Sequence, residues 1–102
     1  MNKSDDPGLT AFDASDYLDN EVTIAEYLSA ALDNPDQDAF LTAVRDVAKA
    51  WGIANVAEKA GLGRESLYKT LQSGAKPRFE TVRRLVTALG VRLDVAPIKR
   101  VG

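Results

Sequence analysis

The sequence predicts a mainly α-helical protein of about five to six helices with a short C-terminal β-strand, and three observations indicate this fold. Apolar residues recur at helical spacing in three long segments, at about 21–32, 36–51 and 79–89. Two shorter amphipathic segments flank a glycine, at about 54–60 and 64–72. Near the end of the chain, apolar and charged residues alternate over 91–96, which is the periodicity of a strand.

The three long segments have recognisable ends and apolar faces. Asp19 or Asn20 can cap the first helix, and Asn34-Pro35 interrupts it. Its expected inward residues are Ile24, Ala25, Leu28, Ala31 and Leu32. The second helix ends at Gly52, and its apolar stripe is formed by Phe40, Leu41, Val44, Val47, Ala48 and Trp51. The third ends at Gly90 and is expected to bury Phe79, Val82, Leu85, Val86 and Leu89.

The two short segments predict a helix–turn–helix over 54–72. Gly61 supplies the turn, because a positive φ angle costs little in a residue without a Cβ atom. Ala57 allows the two helices to approach closely. The side chains expected to hold the second helix against the first are Val56, Leu62, Leu67 and Leu71. The loop that follows contains Gly74 and Pro77, which both interrupt a helix.

Length and composition limit the chemistry open to the chain. Its 102 residues, 45% of them hydrophobic, predict a flexible segment at 1–11 and a single helical domain at 12–102. Residues 9–18 fit either a short strand or a segment that docks Phe12 on the core. The chain has no cysteine and no histidine, so we expect no enzyme activity, no metal site and no cofactor. It has neither a long apolar run nor a signal-peptide pattern, so we expect a cytoplasmic protein without membrane contact.

The net charge of −2 conceals a split along the chain. Residues 1–44 carry ten acids against one base, a net charge of −9, whereas residues 45–102 carry twelve bases against five acids, a net charge of +7. Such asymmetry indicates two surfaces for two partners, of which one is a polyanion. An uneven distribution by chance is the alternative, but the basic half coincides with the predicted helix–turn–helix.

The second short helix carries polar side chains with outward faces, and a helix of this width fits the major groove of double-stranded DNA. We predict base-reading contacts from Arg64, Glu65, Ser66 and Lys69. Phosphate contacts are predicted from Asn55, Tyr68, Gln72, Lys76 and Arg78. Two of these residues have a plainer alternative, since Glu65 also suits the first turn of a helix and Tyr68 also suits the edge of the core. A helical hairpin with a solvated basic face is the alternative for the whole motif.

Several stretches of the sequence resemble a known family. FDASDYL, YLSAAL and the run DVAKAWGIANVAEKAGLGRESLYKTLQSGAKPRFETVRRLVTALGVRLDV are similar to the HigA-like addiction-module antidote proteins, which have a phage-repressor-type helix–turn–helix. The likeness covers about residues 12–96 and implies a lambda-repressor-like bundle. Family members often have Thr-Gln in place of Ala54-Asn55, and Ser in place of Gly63 and of Arg78.

The resemblance implies a DNA-binding antitoxin of a type II toxin–antitoxin module. Such proteins bind a small basic toxin of RelE/ParE type and repress their own operon, usually as homodimers. A twofold dimer would meet two operator half-sites about 34 Å apart. The candidate dimer contacts are the helix at 79–89 and the strand at 91–96, which could pair with its mate or with the segment near Phe12. An acidic N-terminal half would attract a basic toxin.

Two other functions fit the same residues. A stand-alone transcriptional repressor of prophage type would bind DNA without a toxin partner, and a small basic toxin encoded in the adjacent reading frame would argue against it. A protein-interaction module whose helix–turn–helix no longer binds DNA would lack the steep salt dependence that phosphate contacts produce.

Overall fold

The computed structural model describes residues 20–98, and this part of the chain forms five α-helices around a shared apolar cluster. The helices are α1 (Glu21–Leu32), α2 (Gln37–Trp51), α3 (Ile53–Ala60), α4 (Arg64–Thr70) and α5 (Phe79–Ala88). The segments predicted at 1–11 and 9–18 lie outside the described residues. No helix within residues 20–98 is long and apolar enough to cross a membrane.

Side-chain caps begin the first two helices. Asn20 accepts a hydrogen bond from the backbone N–H of Thr23 over 2.9 Å, so Asn20 rather than Asp19 caps α1. Asp36 caps α2 by accepting from the N–H of Asp38 over 3.0 Å. These caps satisfy N–H groups that have no partner within the helix. The predicted bounds of both helices are thereby confirmed to within a residue.

Every helix contributes to the core. The largest fully buried side chains are Ile24, Val44, Val47, Val56, Leu67, Leu85, Val86 and Leu89. All of them lie on faces that the apolar periodicity predicted to be inward. In α4 the buried residue is Leu67, and Leu71 joins it just beyond the last turn. The attachment of this short helix therefore depends on a few aliphatic side chains.

Two apolar residues expected in the interior are exposed, and a third lies at the edge of the core. Phe79 is 67% exposed and Leu32 is 54% exposed. Each occupies a helix end, and a helix face is covered only where a neighbouring element packs against it. Trp51 is half-buried at the edge of the core, and the Nζ atom of Lys59 lies 5.9 Å from the centroid of its ring.

The predicted C-terminal β-strand is wrong for the residues that the structure describes. Residues 91–98 have no regular secondary structure. Val91 and Leu93 pack against the core, whereas Val95 is 93% exposed. A strand requires a ladder of hydrogen bonds to a neighbouring strand, and residues 20–98 contain no strand that could supply one.

A hydrogen bond between side chains joins α1 to α2. The hydroxyl of Tyr27 donates to a carboxylate oxygen of Asp46 over 2.8 Å. Burial raises the pKa of Tyr27 to about 12, and Asp46 adds to the shift because both its hydrogen bond and its negative charge favour the neutral phenol. The link therefore holds only while Tyr27 is protonated.

This link predicts a change in stability at alkaline pH. The pKa of Tyr27 is higher in the folded protein than the value of about 10 expected in the unfolded chain. Its contribution is thus present in full below about pH 10 and is lost as the pH rises towards about 12. We expect Tyr27→Phe to lower the free energy of unfolding by about 1 kcal/mol at neutral pH. Urea denaturation of both proteins from neutral to alkaline pH measures this, and a difference that stays constant with pH would contradict it.

Candidate nucleic-acid interface

The turn between α3 and α4 is built on Gly61, whose φ of 73° and ψ of 31° lie in the left-handed region. The N–H of Gly61 bonds to the carbonyl of Glu58 over 3.1 Å, and the N–H of Leu62 bonds to the carbonyl of Ala57 over 2.9 Å. This pair of bonds is a Schellman motif, which closes the C-terminus of α3. Apart from its chain neighbours, no described residue comes within 4 Å of the position that a Cβ atom of residue 61 would take, so the backbone angle rather than space favours glycine. The predicted turn is confirmed.

Aliphatic side chains hold α4 against the rest of the fold. Leu67 and Leu71 are buried, as are Val56 and Ala57 of α3. Leu62 is partly buried and packs on the same core. The inward faces predicted for both helices are therefore confirmed. Because α4 ends at Thr70 rather than at 72, Gln72 lies in the turn that follows the helix.

Two charged residues of α2 hold this turn. Arg45 donates from its guanidinium to the carbonyl of Leu71 over 3.2 Å, at the C-terminus of α4. The carboxylate of Asp38 accepts from the N–H of Gly74 over 3.2 Å and from the hydroxyl of Ser73 over 3.4 Å. Asp38 and Arg45 lie two turns apart on one face of α2. From the sequence, both residues were considered only as charges. Their spacing of seven residues is the signal by which their shared helix face could have been predicted.

All nine residues predicted to contact DNA are exposed. They are Asn55, Arg64, Glu65, Ser66, Tyr68, Lys69, Gln72, Lys76 and Arg78. In α4, Glu65 and Lys69 are one turn apart and each lies two residues from the buried Leu67, so both are directed away from the core. The structure therefore leaves this face of α4 open to a partner.

Three of the predicted cations meet at one place. Lys69 of α4, Lys76 of the following loop and Arg78 at the start of α5 line a shallow concavity of about 360 Å³, which we call the basic concavity. Among the described residues, no acidic side chain lines it. Within residues 20–98 the ion pairs join Arg84 to Glu80 over 3.5 Å and Arg92 to Asp94 over 3.7 Å, so the three cations are not neutralised by a described acid. Such a surface attracts an anion.

The remaining predicted contacts are distributed around α4. Asn55 occupies the first turn of α3, whose leading N–H groups have no partner within the helix. Arg64 is the first residue of α4, at the opposite end of the helix from the loop that contains Lys76. Neither residue lines the basic concavity. The structure thus presents one helix face flanked by separate polar and cationic groups.

Comparison with known proteins decides the family. Residues 8–97 match the family model described as "probable addiction module antidote protein". The chain belongs to this family. An uncharacterised protein of Haemophilus influenzae is 34% identical over 87 residues, which cover 85% of this chain and 90% of that protein. No solved structure matches the chain at a significant level. The family match of this antidote spans all five described helices, and it implies a toxin as partner.

Proposed function

We propose that this antidote is a DNA-binding antitoxin of a type II toxin–antitoxin module, which represses its own operon as a homodimer and neutralises a small basic toxin of RelE/ParE type. The observation that carries the DNA-binding role is the open face of α4, with the basic concavity beside it. Family membership supports the toxin-binding role. The turn at Gly61 between α3 and α4 supports a helix–turn–helix, in which α4 would be the second helix, the one that reads the major groove.

Each group at this surface suits a distinct part of DNA. A guanidinium such as that of Arg64 can donate two hydrogen bonds to the O6 and N7 atoms of guanine, and Lys69 can reach the same acceptors. The basic concavity lies beside the reading face, where the sugar–phosphate backbone borders the groove. Asn55 and the free N–H groups of the first turn of α3 can hold a second phosphate.

Single substitutions on α4 test the reading face. We expect Arg64→Ala and Lys69→Ala each to weaken binding to the operator of the chain's own operon by about 1–3 kcal/mol, while the helical content stays unchanged. Titration of a fluorescent operator fragment measures the affinity, and circular dichroism measures the fold. Arg84→Ala is the matched control, because Arg84 is an exposed arginine of α5 that lines a different concavity, beside Gly61. If a variant binds as tightly as the control, its residue does not contact the operator.

The acidic N-terminal half supports electrostatic attraction of the toxin. We expect Asp16→Lys, Asp19→Lys and Glu26→Lys together to slow toxin association by roughly tenfold at low salt and by less at high salt. Glu26 is exposed on α1, and the other two positions lie outside the described residues. The matched control places lysine at Glu58, Glu65 and Glu80, which are exposed and belong to the basic half. Stopped-flow association rates that are equal for both variants would remove the electrostatic explanation.

Neutralisation itself is tested in cells. Co-expression of the chain with the product of the adjacent reading frame is expected to restore growth, and the two proteins are expected to co-purify. Operator binding without any growth rescue would favour a stand-alone repressor instead.

A further inference from the structure

The segment that follows α5 has the alternation of a strand but lacks a partner within the described residues. The N–H of Val91 bonds to the carbonyl of Val86 over 3.2 Å, which closes the end of α5. The N–H of Val95 bonds to the carboxylate of Asp94 over 2.8 Å. Within residues 20–98, no hydrogen bond joins the backbone of 92–96 to another backbone segment. Toward the rest of the described residues, the ladder positions of this segment are therefore open.

We propose that residues 91–95 pair with the same residues of a second copy of the chain, as an antiparallel two-stranded ribbon with Leu93 on the twofold axis. In this register Leu93 faces Leu93, Arg92 faces Asp94, and Val91 faces Val95. Apolar residues then meet on one side of the ribbon and opposite charges meet on the other, which is the favourable arrangement of cross-strand pairs. Self-complementarity of this kind is what a twofold interface requires.

Other antiparallel registers are less favourable for this sequence. A slip of one residue places apolar residues opposite charged ones and mixes the two sides of the ribbon. A slip of two residues places Arg92 opposite Arg92, or Asp94 opposite Asp94, and like charges that face each other are destabilising. The alternation of residues 91–95 therefore selects the register that is centred on Leu93.

The hydrogen bonds that the N–H groups of Val91 and Val95 already make determine which facing pairs would exchange ladder hydrogen bonds. Facing residues of an antiparallel pair alternate between hydrogen-bonded and non-hydrogen-bonded positions. Since the N–H groups of Val91 and Val95 are engaged within the chain, the Val91–Val95 pairs and the central Leu93 pair take the non-hydrogen-bonded positions. Arg92 and Asp94 then exchange the ladder bonds across both symmetry-related pairs. Pro97 has no N–H and cannot extend the ladder.

Exposure of the side chains agrees with a second copy as the occupant. The side chains of Arg92 and Asp94 are 85% and 75% exposed and form an ion pair of 3.7 Å within the chain, so pairing would exchange this contact for one with the opposite charge on the partner copy. Val95 is almost fully exposed, whereas Val91 packs on the core. In the paired ribbon, Val95 of the second copy would lie beside Val91, and the exposed side chain of Val95 would be covered. The homodimer is part of the proposed function, but the pairing itself can be measured without DNA.

Cysteine crosslinking reads the register directly, because the chain has no cysteine of its own. At a non-hydrogen-bonded pair the facing Cα atoms lie about 4.5 Å apart, within disulfide range. We expect Leu93→Cys to form an interchain disulfide in a glutathione redox buffer without DNA. Val95→Cys alone is expected to crosslink far less, because two copies of Val95 would be separated by about 13 Å along the ribbon. A mixture of Val91→Cys and Val95→Cys chains is expected to form the mixed disulfide.

Each alternative arrangement gives a different crosslinking result. Random collision would favour the more exposed Val95→Cys over Leu93→Cys, and parallel pairing would crosslink both equally; either result overturns the proposal. A Leu93→Cys protein that forms no interchain disulfide also overturns the proposal. This result is expected if the helix at 79–89 forms the dimer contact, or if the chain's own N-terminal segment pairs with residues 91–95. If the crosslink forms and operator binding fails, the pairing stands and the DNA-binding role is rejected.

Charge reversal tests the same register by a second route. We expect Arg92→Asp, or Asp94→Arg, to raise the dimer Kd by roughly tenfold, because each creates two symmetry-related like-charge pairs. The double variant Arg92→Asp with Asp94→Arg is expected to return the Kd to that of the unmodified chain. Sedimentation equilibrium measures the dimer Kd of all four proteins. If the effects of the two single substitutions on Kd add up in the double variant instead of cancelling, the proposed pairing is contradicted.

Discussion

Replacing Lys69, Lys76 and Arg78 together with alanine is expected to reduce both the affinity for the operator and its dependence on salt. Binding of a cation to a phosphate releases a counterion from DNA, so the logarithm of the affinity falls with the logarithm of the salt concentration by about 0.9 for each neutralised phosphate. The slope should therefore decrease by roughly 1 to 3 per protomer, according to whether the basic concavity holds one phosphate or several. Titrations of the operator at several salt concentrations measure the slope.

A triple variant with the same change in charge tests whether operator binding depends on the position of the cations or only on the net charge of the protein. Lys59, Arg83 and Arg84 are exposed and together line the concavity beside Gly61, so their replacement with alanine removes the same total charge from a different surface. We expect this variant to keep most of the slope and of the affinity. If both triple variants weaken binding equally, only the net charge matters, and the basic concavity has no special role in binding DNA.

Leu67→Ala is expected to have the largest effect on folding. Leu67 is fully buried and is the buried side chain within α4 itself, so its truncation leaves a cavity between α4 and the core. A change of this kind costs about 2–5 kcal/mol, which is a large fraction of the stability of a small protein. A helix of seven residues is not stable in isolation, so α4 is expected to lose its position and operator binding with it.

Urea denaturation and operator titration test this prediction together. Leu32→Ala is the matched control, because Leu32 is an exposed leucine at the end of α1 and its truncation should change stability by about 0.5 kcal/mol or less. A Leu67→Ala protein with the stability of the control would show that α4 does not depend on this contact. Normal stability combined with lost operator binding would indicate a direct role in binding, which the burial of Leu67 argues against.

Interactions between neighbouring residues made much of the fold predictable from the sequence. Asn20 and Gly61 act within one helical turn of their own positions, so the ends of α1 and α3 follow from residue type and spacing. The 3.6-residue period of the apolar positions likewise predicted which face of each helix is buried. The exposure of the nine candidate contact residues follows from the same pattern, because they occupy the positions that remain.

The sequence by itself thus determined five helices, the turn at Gly61 and an outward polar face on α4. Only the tertiary structure decided that Lys69, Lys76 and Arg78 share one concavity, and that Asp38 bonds to Gly74 across 36 positions of the chain. It also decided that Phe79 is exposed and that residues 91–98 form no strand within the described chain. The physical reason is the distance along the chain over which each interaction acts. Helix caps and the helical period depend on residues that are close in sequence, whereas tertiary contacts and strand ladders depend on where distant segments meet.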